Sequence, residues 1–182
     1  MRLSAAIFIC ALALSACGAP RAPEAESALA QRVQALEDER AIIRAADALD
    51  AAVDSKEWAA AHALLADEID ADFSSLGAQP GRISADALIA NWRANLHPAK
   101  HSFHLRGGEQ VTLEGDQATM ISNGYAWNAL PQRLENNLWE GWGRYTHHFQ
   151  RTPQGWRIDG LTFQLLYERG DAGVRLESAP IE

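Results

Sequence analysis

Between Leu138 and Gly170 the chain reads LWEGWGRYTHHFQRTPQGWRIDGLTFQLLYERG, and this stretch limits the fold more than any other. Trp139, Gly141, Gly143, Tyr145, His147 and Phe149 recur at every second position, the period of a strand, so they share one face. Trp156 and Ile158 resume the alternation after Thr152-Pro153-Gln154-Gly155. Proline presets φ and glycine accepts positive φ, so this tetrapeptide between two β-rich runs signals a hairpin. Strands of about a dozen residues, against the usual five or six, require a large curved sheet. The apolar face of such a sheet needs a cover, and the helical segments that precede it are the candidates.

The 182 residues are enough for one domain, and 47% of them are hydrophobic, which suffices for a full core. A net charge of −8 argues against nucleic-acid binding, which needs a basic face. Both cysteines lie near the N-terminus, so no disulfide framework staples the body. Arg2 followed by the apolar run Leu3–Leu14 is too short to span a bilayer and has the form of a leader. Leu14-Ser15-Ala16-Cys17 resembles the bacterial lipobox. That resemblance implies cleavage after residue 16, lipidation of Cys17 and attachment to a bilayer. The mature chain then carries 15 basic and 24 acidic residues, a net charge of −9. Gly18 follows the cysteine where inner-membrane retention signals place Asp, so the expected location is the outer membrane, facing the periplasm.

Residues 17–29, rich in Ala, Pro and Glu, are read as the lipidated cysteine and a flexible tether, ahead of one domain over 30–170 and a tail over 171–182. The spacing of Ile42, Ile43, Ala46, Leu49 and Val53 predicts a helix from Ala30 to Asp54. Ser55 is placed to cap a second helix from Lys56 to Asp67. A short strand is expected over Ile69–Leu76 and a turn at Pro80-Gly81. A third helix opens at Ser84 with Asp86 and ends at His97-Pro98. Two strands follow, Lys100–Arg106 and Gln110–Leu113, and then a long one over Gln117–Leu130. In that long strand both parities hold apolar residues, so the outer face of the sheet is a candidate surface for a homodimer. The class is α+β, with helices on one concave side of an antiparallel sheet.

Four motifs carry a resemblance to a known family: Asp54-Ser55-Lys56-Glu57-Trp58, Lys100-His101-Ser102-Phe103-His104, Gly115-Asp116-Gln117-Ala118, and Gly143-Arg144-Tyr145 followed by Gly155-Trp156-Arg157-Ile158. In this order the chain resembles the SnoaL-like branch of the NTF2-like fold over about residues 30–170. The resemblance implies a conical barrel of curved sheet with three helices on its concave side, open to an apolar pocket for a small hydrophobic molecule. It leaves the chemistry open, because the family contains dehydratases, isomerases, cyclases, hydrolases and binding domains.

Scytalone dehydratase is the enzyme pattern this chain resembles. There the resemblance implies an acid–base pair of Asp54 and His104 and puts Phe73 and Asn128 in the pocket, and shared strand parity adds Tyr145 and His147. Phe73 and Val53 stand where that pattern has tyrosines, and Asn128 where it has a second histidine. A carboxylate beside an imidazole raises its pKa and fixes its tautomer, which suits proton transfer in an apolar cone. Asp50, one turn earlier and nearer the centre of the apolar stripe, is the alternative carboxylate. A packed strand histidine is the plain alternative for His104. His101 has the opposite parity from His104, and His147 and His148 face opposite ways. The histidines lack compact ligand spacing, so neither a metal nor any other cofactor is expected. Three functions remain open on these residues: ligand binding without turnover, a cofactor-free lyase or isomerase, and a dimeric assembly module.

Overall fold

The computed structural model describes residues 22–179, so Cys17 and the expected leader lie outside the described residues. Two compact units divide the chain at Gln34/Ala35. The described part of the first is the beginning of helix α1 (Ala22–Ser55), solvent-exposed from residue 23 to residue 34. Residues 22–29, read from the sequence as an aperiodic tether, are therefore helical. Their Ala and Glu content favours helix even without an apolar stripe.

The second unit holds the rest of α1, then α2 (Trp58–His62), β1 (Leu65–Asp72), β2 (Gly81–Ser84), α3 (Ala85–Asn95), β3 (His101–Glu114), β4 (Gln117–Ala129), β5 (Leu138–Thr152), β6 (Gly155–Gly170) and α4 (Ala172–Leu176). The six strands form one open sheet in the order β2-β1-β6-β5-β4-β3. Pairing is antiparallel except between β1 and β6. Register shifts at Gly107/Gln110, Trp142/Gly143 and His148/Phe149 mark bulges, and bulges bend strands. The expected hairpin is present: β5 and β6 pair from Thr152↔Gly155 outwards, with Gly155 at φ 101°. Thr152 Oγ1 donates to the Gly155 carbonyl at 2.8 Å.

Several expected elements take a different form. The second helix stops at His62, because Leu65 and Ala66 are already buried in β1, and the Ser55 hydroxyl bonds within α1 instead of capping α2. The strand expected over Ile69–Leu76 starts at Leu65 and gives way to a 3-10 turn at Ser74–Leu76. Gly81 continues past the expected turn into β2, pairing with Ala71. The two strands expected around Gly107-Gly108 are one strand, β3, interrupted by a bulge where Gly108 adopts φ 71°. Ser84 does cap α3, accepting from the Ala87 amide at 3.2 Å. Residues 171–177 are not a loose tail. Asp171 caps α4, Val174 packs with Leu130 and Trp139, and the buried Lys100 Nζ donates to the Arg175 and Glu177 carbonyls.

Alternation places Ala118, Met120, Phe149, Trp156, Ile158 and Leu161 against Ile42, Ala46, Leu49 and Val53 of α1, Ala61 of α2 and Leu88 of α3. Each large apolar side chain buried there contributes about 1.5–3 kcal/mol. The opposite face of the sheet is more open: Phe103, Leu105, Ile121 and Tyr167 are exposed. Trp142 stacks at an angle between Tyr125 and Tyr167, with centroids 5.0 and 5.3 Å away.

Candidate acid–base site

Ser102, His104 and Arg106 alternate along β3 with one parity, and strand pairing sets them beside Asn128, Ala126 and Gly124 of β4. The last turns of α1 bring Asp50 and Asp54 to the same place. Asp54 holds His104 twice: Oδ2 accepts the His104 backbone N–H at 2.7 Å, and Oδ1 lies 2.8 Å from ring Nδ1. The pair joins residues fifty positions apart and is mostly buried, at 17% and 19% exposure. With the carboxylate on Nδ1, that nitrogen carries the ring proton and Nε2 keeps a lone pair. His104 Nε2 makes no hydrogen bond among the described residues.

Opposed influences set the charges here. Burial pushes the Asp54 carboxyl up, but the hydrogen bonds and charge of His104 outweigh it and hold the group below the ordinary carboxylate range. Ser102 Oγ is close enough to add to that pull, yet lacks the geometry of a hydrogen bond. Burial likewise pushes His104 down, and the Asp54 hydrogen bond and the charges of Asp50 and Asp54 bring it above its ordinary value.

One turn back, Asp50 Oδ2 lies 2.9 Å from Arg106 Nη2, which also donates to the Ala46 carbonyl. Burial raises the Asp50 carboxyl despite the guanidinium beside it. Arg106 Nη1 lies 3.0 Å from His147 Nε2. Burial, then Arg106 and His148, push His147 down to about 3. Tyr145 sits against this group, its centroid 5.7 Å from both the Arg106 guanidinium carbon and the His147 ring and 4.5 Å from Phe163. Burial and the Asp50 charge raise its phenol, so it stays protonated as a donor. Gly124 makes room for that ring, since a Cβ there would fall 2.2 Å from Tyr145 Cε2.

Of the residues expected in the site, Asp54, His104, Tyr145 and His147 come together. Asn128 shares the concave face and is buried, two positions further along β4 than Ala126, and its amide donates to the Trp127 carbonyl at 2.9 Å. Phe73 packs against the helix-side core. His101 is exposed, as its parity requires. Asp50 and Asp54 are both engaged, Asp50 by the Arg106 guanidinium and Asp54 by the His104 ring and backbone N–H. Arg106 was missed. Its parity with His104, on a strand face that had to be covered, was the available signal, because a buried arginine needs partners. Two surface hollows of about 590 and 540 Å³ lie elsewhere, one beside Asn136–Leu138 and Asp171, the other lined by Asp70, Arg82, His148 and Asp159.

An open curved sheet of six strands, covered on its concave side by helices, is the NTF2-like, cystatin-like fold. The chain belongs to the SnoaL-like domain family, whose model matches residues 34–162. A search of curated proteins found no match. Among solved structures, Kfla4162 from Kribbella flavida is 24% identical, with a TM-score of 0.72 over 79% of this chain and 99% of its own. A protein from Novosphingobium aromaticivorans provisionally assigned as a scytalone dehydratase is 12% identical, with a TM-score of 0.67 over 79% and 92%. A type 2 hexachlorocyclohexane dehydrochlorinase (LinA) is 18% identical, with a TM-score of 0.64 over 82% and 99%. At these identities the likeness concerns the fold.

Proposed function

We propose that this protein is a cofactor-independent lyase or isomerase acting on a small apolar molecule, with His104 as the proton-transfer group and Asp54 as its positioning partner. The observation that carries the reading is the double hold of Asp54 on His104, which orients the ring and leaves Nε2 as its one unengaged nitrogen. In an elimination, Nε2 takes a proton from carbon and the C–H electron pair becomes the new double bond. The C–O bond breaks with its electrons on oxygen, and the imidazolium returns the proton to the departing hydroxide, so that water leaves. In an isomerisation the same proton goes back to another carbon. Asp54 stays ionised throughout and stabilises the imidazolium. Two structural relatives carry names from elimination chemistry, a dehydratase and a dehydrochlorinase, and they support this class of reaction.

An NMR titration of the His104 ring protons in wild type and Asp54→Asn tests the pair. The wild-type midpoint should lie above about 6.5 and fall in the variant. Turnover in the variant should drop at least about a hundredfold, the low end of what a positioned acid–base group contributes. Identical midpoints would remove the acid–base reading and leave ligand binding without turnover.

The proposal places the domain at the cell envelope, held by a lipidated Cys17, as the Leu14-Ser15-Ala16-Cys17 motif suggests. Cys17→Ser should then leave an uncleaved precursor without lipid. A soluble wild-type protein cleaved at another bond, with no lipid mass, would overturn it.

A further inference from the structure

Helix α1 leaves large apolar side chains in water. In the second unit Leu36 is 65% exposed and Ile43 half-buried, with Arg40 exposed between them. The same spacing runs back in sequence to Val33 and Leu29, which are 46% and 59% exposed in the first unit. From Leu29 to Ile43 the steps alternate four and three residues. That is the 3.5-residue period of a coiled-coil seam and not the 3.6 of a straight helix lying on its own core. Read as heptads, Leu29, Leu36 and Ile43 fall at d, Val33 and Arg40 at a, and Asp38 at f, the position farthest from the seam. Asp38 is the residue that binds Arg151 and Trp156 of the sheet, so around it the seam and the sheet take opposite faces of the helix. The next a and d positions, Asp47 and Asp50, already meet Arg106 of β3, and there the seam ends.

Scattered exposed leucines are ordinary; the flanks of this stripe say what covers it. In a parallel coiled coil, position g of one helix faces the following e of its partner. Arg32 and Glu39 stand at g, and Glu37 and Arg44 at e. An in-register pair therefore sets Arg32 of one copy against Glu37 of the other, and Glu39 against Arg44, and two-fold symmetry repeats both matches. Residues five apart are not neighbours on one helix, so neither match serves α1 by itself. Leu36, Glu39, Arg40, Ile43 and Arg44 also line a hollow of about 340 Å³. The first four are d, g, a and d, the set of positions that forms the hole for an a-position knob of a facing helix.

We propose that α1 pairs with α1 of a second copy of this chain as a parallel, in-register coiled coil along Leu29, Val33, Leu36, Arg40 and Ile43. Arg40 of each copy enters the other's hollow, its methylenes on Leu36 and Ile43 and its guanidinium at the rim beside Glu39. A polar residue at a single a position fixes the register at a cost in stability. A seam of two heptads also falls short of a standard interface of about 1,600 Å², so the pair is weak and reversible. This interface is independent of the acid–base reading above.

Sedimentation and cysteine cross-linking of the full chain, purified in detergent, test the pair. The apparent mass should rise from monomer to dimer with protein concentration. Leu36→Cys, at d, should form an interchain disulfide on mild oxidation, and Gln31→Cys, at f, should not, each measured against the parent chain. Leu29→Asp/Leu36→Asp should abolish the dimer and leave the melting temperature unchanged, because both side chains are exposed. Arg32→Glu sets like charges across the seam and should weaken dimerisation about fivefold, and Arg32→Glu/Glu37→Arg should restore it. A monomer at every concentration, equal cross-linking from Gln31→Cys and Leu36→Cys, or a double charge variant no better than Arg32→Glu would overturn the seam. So would a dimer that survives Leu29→Asp/Leu36→Asp, since it has to use another surface, such as the outer face of the sheet.

Discussion

Helix α1 sends an aspartate into the sheet at two places, and the two are used differently. At Asp38 the carboxylate accepts from Arg151 Nη1 at 2.8 Å and Nη2 at 2.7 Å, and from Trp156 Nε1 at 3.1 Å. The guanidinium also lies over the Trp156 ring, 4.2 Å from its centroid. A paired, stacked cation and an indole N–H leave that end of the hairpin tied down. About three and four turns further on, Asp50 and Asp54 hold Arg106 and His104, but the network around them keeps unpaired atoms on Arg106, His147 and Ser122. The same residue type on the same helix therefore serves stability where its hydrogen bonds are completed. At Asp50 and Asp54 the carboxylates are engaged as well, but unpaired polar atoms remain on Arg106, His147 and Ser122 around them. A buried polar network with vacancies is unfavourable for folding alone, and such vacancies are where a ligand is expected.

The largest expected effect lies at the completed end. Trp156→Ala should destabilise the domain by roughly 3–5 kcal/mol in chemical denaturation, since it removes a buried aromatic together with one of the donors to the Asp38 carboxylate. The His104 titration should stay as in wild type. A loss below about 1 kcal/mol would mean that the two ends do not differ in this way.

A smaller effect is expected at the other end from adding one carbon. Gly124→Ala puts a Cβ into the Tyr145 ring and should cost about 1–3 kcal/mol by overpacking, with a displaced Tyr145 resonance. In the Gly124→Ala/Tyr145→Ala double variant the clash is gone, so the two losses should fall short of additivity. Additive losses would place the ring elsewhere.

The third prediction separates the two inward histidines by pH. His147 has a folded value depressed to about 3. The unfolded chain, near 6.5, then takes up the proton first. Its contribution to stability is complete above that value and fades as pH falls toward the folded one. For His104 the folded value is raised, so its contribution is complete below about 6.5 and is lost as pH rises through the folded value. Ring-proton NMR should show His104 titrating above about 6.5 while His147 stays neutral well into acid. A His147 midpoint near that of His104 would show the Arg106 contact to be open to water.

Much of this was legible in local pattern. Period-two alternation located β4, β5 and β6 but left open which parity of β4 faced inward, and Pro153 with Gly155 marked the hairpin. The 3.6-residue stripe of Ile42, Ala46, Leu49 and Val53 faced the core as expected, and parity alone separated His104 from His101. Boundaries were read less well around Gly107-Gly108. Two glycines look like a turn in sequence, and only the pairing with β4 shows that the strand continues through a bulge.

What the sequence by itself determined is the set of local periods: which residues share a face, where the chain reverses, and that a carboxylate at Asp54 follows an apolar helical stripe. What only the tertiary structure decided is which of these faces meet. The Asp54–His104, Asp50–Arg106 and Arg106–His147 contacts all depend on where α1 lies over β3 and on the register across β3, β4 and β5. Periodicity reports each element's own geometry. Desolvation, the choice of ion-pair partner and the tautomer of His147 arise only when distant elements pack together, because each is a property of an environment and not of a residue.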